Sequence, residues 1–218
     1  MKIPVVRDIL EANERIARQN RELFDENSLL VINLMSAPGA GKTSLLERSI
    51  DALKDEISMG IIEGDIQSSQ DAERVARKGV PAVQINTGGE CHLDGNMIRD
   101  TFKDFDFKGL QLLVIENVGN LVCPAEFNMG EDFKIMMLSV TEGDDKPSKY
   151  PLMFHKSKVL LINKIDLLPY VDCSIERIEE ESKRINPDLT IFRISCKTGE
   201  GLGDWYDWLR EQVKNKKP

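Results

Sequence analysis

Short apolar runs alternate with amphipathic stretches along most of this chain. The apolar runs predict strands at 29–35, 59–63, 82–85, 110–116, 133–140, 159–163 and 190–194. Apolar residues at helical spacing predict helices at 44–54, 69–78, 94–102, 174–185 and 203–214. This alternation predicts an α/β fold with three layers, a mostly parallel sheet between two layers of helices. Segment 141–151, rich in Gly, Asp and Pro, is expected to be a mobile loop.

One further helical pattern precedes the first strand, at residues 5–25. We therefore divide the chain into an amphipathic N-terminal helix, 1–28, and a nucleotide-binding domain of the P-loop NTPase type, 29–218. The helix is expected to pack on the edge of the sheet. A surface for docking a partner is the alternative.

Composition narrows the class of protein. The 218 residues contain 29 basic and 37 acidic side chains, a net charge of −8 that argues against nucleic acid and anionic membranes as partners. No apolar run approaches the length of a membrane span, and the first residues lack a signal-peptide pattern. A cytoplasmic protein is expected, in which the four cysteines are thiols or metal ligands.

Residues 36–43 read Ser-Ala-Pro-Gly-Ala-Gly-Lys-Thr, between a predicted strand and a predicted helix. In such a turn, backbone N–H groups surround a phosphate and the helix N-terminus adds its positive end. Lys42 then reaches the β- and γ-phosphates, and the Thr43 hydroxyl binds Mg²⁺. The usual pattern begins with Gly, whereas this chain has Ser36. The predicted phosphate-binding residues are Pro38, Gly39, Ala40, Gly41, Lys42, Thr43 and Ser44.

Asn-Lys-Ile-Asp at 163–166 follows a predicted strand and resembles the guanine-specificity motif of GTPases. The Asp166 carboxylate can accept hydrogen bonds from N1–H and the exocyclic amine of guanine, a donor pair that adenine lacks. Ser-Cys-Lys at 195–197 resembles the loop whose backbone contacts the guanine carbonyl, with Cys in place of Ala. GTP and GDP are therefore the expected nucleotides. The predicted base-binding residues are Asn163, Lys164, Asp166, Ser195, Cys196 and Lys197.

Acidic residues end two predicted strands, Asp65 near one and Glu116 on the other. Both are candidates for the Mg²⁺ site together with Thr43, and with Lys42 they are the candidate catalytic residues. Gly119, three residues after Glu116, can offer its backbone N–H to the γ-phosphate. No Gln or Arg is evidently placed for fast hydrolysis, so a switch with slow intrinsic turnover is expected.

Cys91, His92 and Cys123 all lie just past predicted strand ends, so they can meet on one face of the sheet. Two thiolates and an imidazole suit Zn²⁺ or Ni²⁺. Adjacent side chains are expected to diverge, so Cys91 and His92 should not close a compact site within one chain. Water or a second subunit would complete the coordination. Packing of free thiols is the alternative.

Together these motifs resemble the HypB family of GTPases, which help to insert nickel into nickel–iron hydrogenase; the telling strings lie at 36–43, 63–65, 88–94, 116–124 and 163–166. The related UreG family carries Cys-Pro-His instead. The resemblance implies a P-loop fold of the SIMIBI branch, a GTP-promoted homodimer and a metal site at the dimer interface that uses Cys91, His92 and Cys123. It also implies a HypA-like nickel metallochaperone as partner, docking near the N-terminal region, and a hydrogenase large-subunit precursor as the indirect client.

The resemblance has two limits. The first 30 residues hold no Cys and no His, so the nickel-storing N-terminal motifs of some family members are not expected. The signature Lys of many SIMIBI ATPases is also absent near Ala37. Two rival functions remain, a GTP-binding signalling module in which the cysteines only pack, and an ATP-dependent small-molecule kinase. The guanine-type motif and the lack of an Arg-rich lid argue against the kinase.

Overall fold

The structure, a computed structural model, describes residues 7–65 and 70–216. Within them the strands form one parallel sheet, in the order β3-β2-β4-β1-β5-β6-β7. The strands are β1 (Leu30–Ser36), β2 (Met59–Asp65), β3 (Ala82–Asn86), β4 (Leu112–Glu116), β5 (Phe133–Ser139), β6 (Val159–Asn163) and β7 (Thr190–Arg193). The helices are α1 (Arg7–Glu26), α2 (Lys42–Leu53), α3 (Gln70–Ala76), α4 (Gly95–Asp100), α5 (Cys123–Glu126), α6 (Lys146–Lys149), α7 (Pro151–Lys156), α8 (Ile175–Ile185) and α9 (Leu202–Asn215).

The central strands are apolar along almost their whole length because helices cover both faces of the sheet. Every residue of β1, β4 and β6 is buried. On one face, alternate strand residues pack against α2, α3 and α9, with Trp205 at the centre of the α9 contact. On the other face they pack against α1 and α4 at one end and against α7 and α8 at the other. The predicted α/β fold is confirmed.

The N-terminal helix α1 lies against α4 and buries Ala17 and Phe24. Polar side chains also fix it, because Asn13 and Asn20 are buried and bond to backbone groups of Gly95 and of the segment 128–129. The start of the predicted helix, at residues 5–6, lies outside the described residues. No helix within the described ranges is long and apolar enough to cross a bilayer.

The prediction of a loop at 141–151 was wrong. This segment folds into a 3₁₀ turn at Val140–Glu142, the short helix α6 and the start of α7. Ser139 and Glu142 form a reciprocal capping box on the 3₁₀ turn, which satisfies its first backbone N–H groups. Proline begins α7 and follows the first residue of α6, where its missing N–H costs nothing. The sequence 69–78 was predicted as one helix, and its described part forms α3 from Gln70.

Candidate functional site

The phosphate loop joins β1 to α2 at the carboxyl edge of the sheet. Gly39 and Gly41 have φ angles of 75° and 112°. Such positive angles favour glycine, because glycine has no Cβ to clash with the backbone. A Cβ on Gly41 would also lie 2.5 Å from Asn163 Nδ2. Lys42 Nζ donates to Ser36 Oγ at 3.1 Å, so the serine that replaces the usual glycine holds the lysine against the loop.

A cavity of about 520 Å³ lies over this loop and collects residues from four parts of the sheet edge. Thr43 Oγ1 donates to Glu116 Oε1 at 3.1 Å, and Lys42 Nζ lies 4.0 Å from the same oxygen. Asp65 also lines the cavity. One hydroxyl and two carboxylates are oxygen donors of the kind that Mg²⁺ prefers, so this donor set fits the ion. The predicted residues that line the cavity are Pro38, Gly39, Gly41, Lys42, Thr43, Ser44, Asp65, Glu116, Gly119 and Lys164.

A second cavity, of about 350 Å³, adjoins the first and shares Gly41, Ser44 and Lys164 with it. Asn163 braces its floor, since Nδ2 donates to the Ala40 carbonyl at 2.8 Å and Oδ1 accepts from Cys196 N at 3.1 Å. Ser195 Oγ donates to Asp166 Oδ1 at 2.6 Å. The predicted residues that line this cavity are Gly41, Ser44, Asn163, Lys164, Asp166, Cys196 and Lys197.

Cys196 is a buried loop residue, and among the described residues it joins no cluster of potential metal ligands. Burial raises the pKa of its thiol to about 11, so the thiol is neutral at physiological pH. Arg48, on α2, fixes the loop from outside through hydrogen bonds to the carbonyls of Cys196 and Lys197, at 2.9 and 3.0 Å. The loop is therefore held from both sides, by Asn163 within and by Arg48 at the surface.

Two charged residues of the phosphate cavity were missed by sequence reasoning. Glu63 is buried on β2, directly opposite Glu116 of β4, and lines the cavity. Its signal was available, because Glu63 and Asp65 are two residues apart and so share one face of the strand. Arg74, on α3, also lines the cavity, although no arginine was predicted there. Arg74 lies on a helix, and the sequence does not show that this helix packs beside the strand ends that form the cavity.

Cys91, His92 and Cys123 meet in one cluster. Their candidate ligand atoms all lie within 4.8 Å of one another, with the two Sγ atoms 3.0 Å apart. The His92 ring stacks on Phe127 at 3.8 Å between centroids. Lys134 fixes the segment that carries Cys123 and Phe127, because Nζ donates to the carbonyls of Pro124 and Phe127.

The expectation that Cys91 and His92 diverge was wrong. The chain bends between them, and Cys91 Sγ lies 3.8 Å from His92 Nδ1. Period-based reasoning applies to regular strands and helices, whereas these residues lie in an irregular turn. Three donors from one chain therefore converge, and one position of a tetrahedral ion would remain for another ligand.

The Cys123 thiol is neutral at physiological pH in the absence of metal, because the hydrogen bond that it shares with Cys91 raises its pKa and burial raises it further. Thiolate is the form that binds metal, so binding is expected to release protons. The cluster is open to solvent in part, since all three residues are only half-buried.

One strand end connects the two sites. After Glu116, the Asn117 side chain accepts a hydrogen bond from Leu93 N, next to His92, at 3.1 Å. Gly119 lies so close to the phosphate loop that a Cβ there would be 2.9 Å from Pro38 Cγ. The same segment then reaches Cys123.

The parallel sheet, the glycine-rich loop before α2 and the acidic strand ends define a P-loop nucleotide-binding protein. Residues 30–193 match the family model described as "CobW/HypB/UreG, nucleotide-binding domain". The hydrogenase maturation factor HypB of Azotobacter vinelandii is 50% identical over 208 residues, which are 95% of this chain and 69% of that protein. The chain belongs to the CobW/HypB/UreG family and, within it, to the HypB hydrogenase maturation factors.

Solved structures agree with this assignment. The HypB crystal structure from Archaeoglobus fulgidus has a TM-score of 0.88 and 42% identity, covering 93% of this chain and 99% of that one. HypB from Helicobacter pylori, crystallised in complex with nickel, has a TM-score of 0.88 and 39% identity, covering 94% and 96%. The resemblance inferred from the motifs is therefore confirmed.

Proposed function

We propose that this chain is a GTPase switch that delivers nickel for hydrogenase maturation. The observation that carries the proposal is the segment after β4, because it contacts the phosphate loop through Gly119 and supplies Cys123 to the Cys-His-Cys cluster. A change at the terminal phosphate can then alter the geometry of the metal ligands. A reduced thiol cluster is also what a cytoplasmic protein would maintain.

Guanine selectivity rests on Asp166. Its carboxylate borders the cavity next to the phosphate loop, and the Ser195 hydroxyl orients it. The carboxylate would accept from N1–H and the exocyclic amine of guanine, while Lys164 covers the base and the backbone at 195–197 meets the base carbonyl. Adenine would leave the carboxylate unpaired, at a cost of about 1–3 kcal/mol.

Hydrolysis rests on the acidic strand ends and Lys42. Lys42 would bind the β- and γ-phosphates, and Glu116 or Asp65 would orient the attacking water. Mg²⁺ held by Thr43, Asp65 and Glu116 would offset the charge that develops on the phosphates. Positioning dominates this chemistry. The proposed intrinsic turnover is slow, as expected of a switch.

Nickel is the proposed cargo of Cys91, His92 and Cys123. Thiolates and imidazole bind Ni²⁺ and Zn²⁺ alike, and a nickel complex of a relative of 39% identity favours nickel. The open coordination position would be filled by water or by a second copy of the chain across a two-fold axis. Val122, beside Cys123, is 52% exposed and offers an apolar contact for that second copy.

A HypA-like metallochaperone is the proposed partner, docking on or near α1. The exposed side of α1 carries charges of both signs, with Glu11, Glu14 and Arg18 at its surface. Asn13 and Asn20 on the buried side bond to the segments that follow His92 and Phe127. A partner seated on α1 would therefore lie one helix away from the metal ligands. The hydrogenase large-subunit precursor would receive the nickel afterwards.

The test is the affinity for Ni²⁺ of the full chain, loaded in turn with GDP and with a non-hydrolysable GTP analogue. We expect affinities that differ by about 5- to 150-fold, the range of ordinary coupling between sites. Equilibrium titration with a competing chelator measures both. Cys91→Ser and Cys123→Ser should lose tight binding in either state.

Cys173→Ser is the matched control, because Cys173 is also half-buried but lies outside the cluster. It should leave both affinities unchanged. Equal Ni²⁺ affinity in the two nucleotide states would refute the proposed coupling between nucleotide and metal binding. Tight Ni²⁺ binding that survives Cys91→Ser would show that this cluster is not the nickel site. That result would support the alternative function, a metal-independent GTP-binding module.

A further inference from the structure

Arg74, on α3, is one of the residues that line the phosphate cavity. Both of its donor positions toward α2 are engaged by Glu47, with Nε 3.2 Å from Oε1 and Nη2 2.6 Å from Oε2. This is a two-point pair of planar groups, the geometry with which arginine also binds phosphate. The Arg74 side chain is 36% exposed and the Glu47 side chain 24% exposed, so the ion pair is partly open to solvent.

A second ion pair joins the same two parts of the chain without reaching the cavity. Lys78, just beyond α3, lies 2.6 Å from Asp51 of α2. Lys78 and Asp51 are absent from the residues that line the described cavity. Both ion pairs hold α2 and α3 together. The Arg74–Glu47 pair differs from the Lys78–Asp51 pair because Arg74 also lines the phosphate cavity.

The charge balance of the cavity gives Arg74 a second partner. The cations among its described lining residues are Lys42, Lys164 and Arg74. Lys164 Nζ donates to the Gly39 carbonyl at 2.7 Å beside the base cavity, so Lys42 and Arg74 are the lining cations that lie away from the base. Glu63, Asp65 and Glu116 add negative charge to the same space. Sites that transfer a terminal phosphate commonly use an arginine in addition to Mg²⁺ and a lysine, because all three offset the charge of the phosphate.

We infer that Arg74 binds the terminal phosphate of a bound nucleoside triphosphate, and that Glu47 holds the guanidinium when a diphosphate is bound. Such an exchange is accessible because a partly exposed ion pair is weak, whereas phosphate offers more charge and more acceptor oxygens. Arg74 would then make α3 sensitive to the triphosphate state. The inference rests on the proposed nucleotide function and adds the residue that distinguishes triphosphate from diphosphate.

The deciding measurement is the ratio of affinities for a non-hydrolysable GTP analogue and for GDP, determined on the full chain. Arg74→Ala should lower the analogue-over-GDP ratio by about tenfold, the loss of a hydrogen-bonded charge contact. Glu47→Gln should raise the ratio, because it removes the competing carboxylate. Arg74→Lys should lie between wild type and Arg74→Ala, since it keeps the charge but loses the planar fork.

The opposite signs of the two variants separate phosphate binding from a purely structural tie. A structural tie would weaken both nucleotides equally in Arg74→Ala and in Glu47→Gln, leaving the ratio unchanged, and that result would overturn the inference. Lys78→Ala and Asp51→Asn are the matched controls for the contact between α2 and α3. A fall of the ratio in Lys78→Ala as large as that in Arg74→Ala would overturn it as well.

Failure of the guanine proposal would be visible separately. If ATP and ADP bind in preference to GTP and GDP, the proposed base selectivity fails. The same ratio, measured with an ATP analogue and ADP, still decides whether Arg74 binds the terminal phosphate.

Discussion

At the scale of single residues, Asp166 lines the base cavity and is already oriented, because Ser195 Oγ donates to its Oδ1 at 2.6 Å. Asp166→Asn should therefore shift the preference of the site from guanine toward xanthine. An amide in this place can donate to the carbonyl that xanthine carries at C2, and it no longer matches both donors of guanine. We expect the GDP affinity to fall by at least about tenfold and the preference to move toward xanthosine diphosphate. Competition with a fluorescent nucleotide measures both.

Asp172→Asn is a control for this prediction, since Asp172 is an exposed carboxylate beyond the base cavity. It should bind GDP as the wild type does. An unchanged ratio of guanine to xanthine affinity in Asp166→Asn would contradict the role of Asp166.

At the scale of single residues, sequence reasoning succeeded where a motif has a fixed spacing and failed where the fold brings distant residues together. The phosphate loop and the 163–166 motif are continuous in sequence, so their residues were predicted with their numbers. Arg74 reaches the cavity because α3 packs beside α2, a relation that no local pattern contains. Glu63 could have been predicted from the two-residue period of a strand, since it lies on the same face of β2 as Asp65.

At the scale of elements, α1 fixes the segments that follow His92 and Phe127, beside the Cys-His-Cys cluster. Asn20 Nδ2 donates to the Gly95 carbonyl at 2.8 Å and to the Met129 carbonyl at 3.1 Å, and Asn20 is fully buried. Asn20→Ala would leave both carbonyls without this donor. We expect the free energy of unfolding to fall by about 2 kcal/mol. We also expect weaker Ni²⁺ binding, because the loops that hold His92 and Phe127 lose a common support.

Denaturant unfolding and metal titration test this prediction on the same preparations. Glu22→Ala is the control on the same helix, since Glu22 is exposed and its removal should change the free energy of unfolding by less than about 0.5 kcal/mol. If Asn20→Ala lowers the free energy of unfolding but leaves the Ni²⁺ affinity unchanged, Asn20 stabilises the fold and does not support the metal ligands.

Long elements were predictable and short ones were not. The strands of the sheet carry buried apolar runs, and the predicted positions differ from the observed ones by only a few residues at the ends. Helices of one turn, such as α5 and α6, bury too few apolar residues to show a period. A capping box and prolines begin the short elements of 141–151 instead, so apolar periodicity does not predict them.

At the scale of the whole molecule, the proposed dimer should depend on the surface beside Cys123. Val122 is 52% exposed there. Val122→Asp would place a charge in an apolar contact and remove the gain from burying a valine, about 1.5 kcal/mol. The dissociation constant of the dimer formed with a GTP analogue should therefore rise by at least about tenfold. Analytical ultracentrifugation measures it.

Tyr170→Asp serves as the comparison. Tyr170 is 82% exposed but lies just after β6, on the other side of β1 and β5 from the metal cluster. The dimer should tolerate this change. If Tyr170→Asp weakened association as much as Val122→Asp, the interface would lie elsewhere.

The close approach of Gly119 to Pro38 has a consequence for how the cell's metal supply could act on the chain. Linkage between two binding sites is symmetric, so any factor by which the triphosphate changes the affinity for nickel is also the factor by which nickel changes the affinity for the triphosphate. If the proposed switch operates through this contact, nickel would control the affinity for the triphosphate as the triphosphate controls the affinity for nickel. The fraction of chains holding the triphosphate would then report how much metal is available.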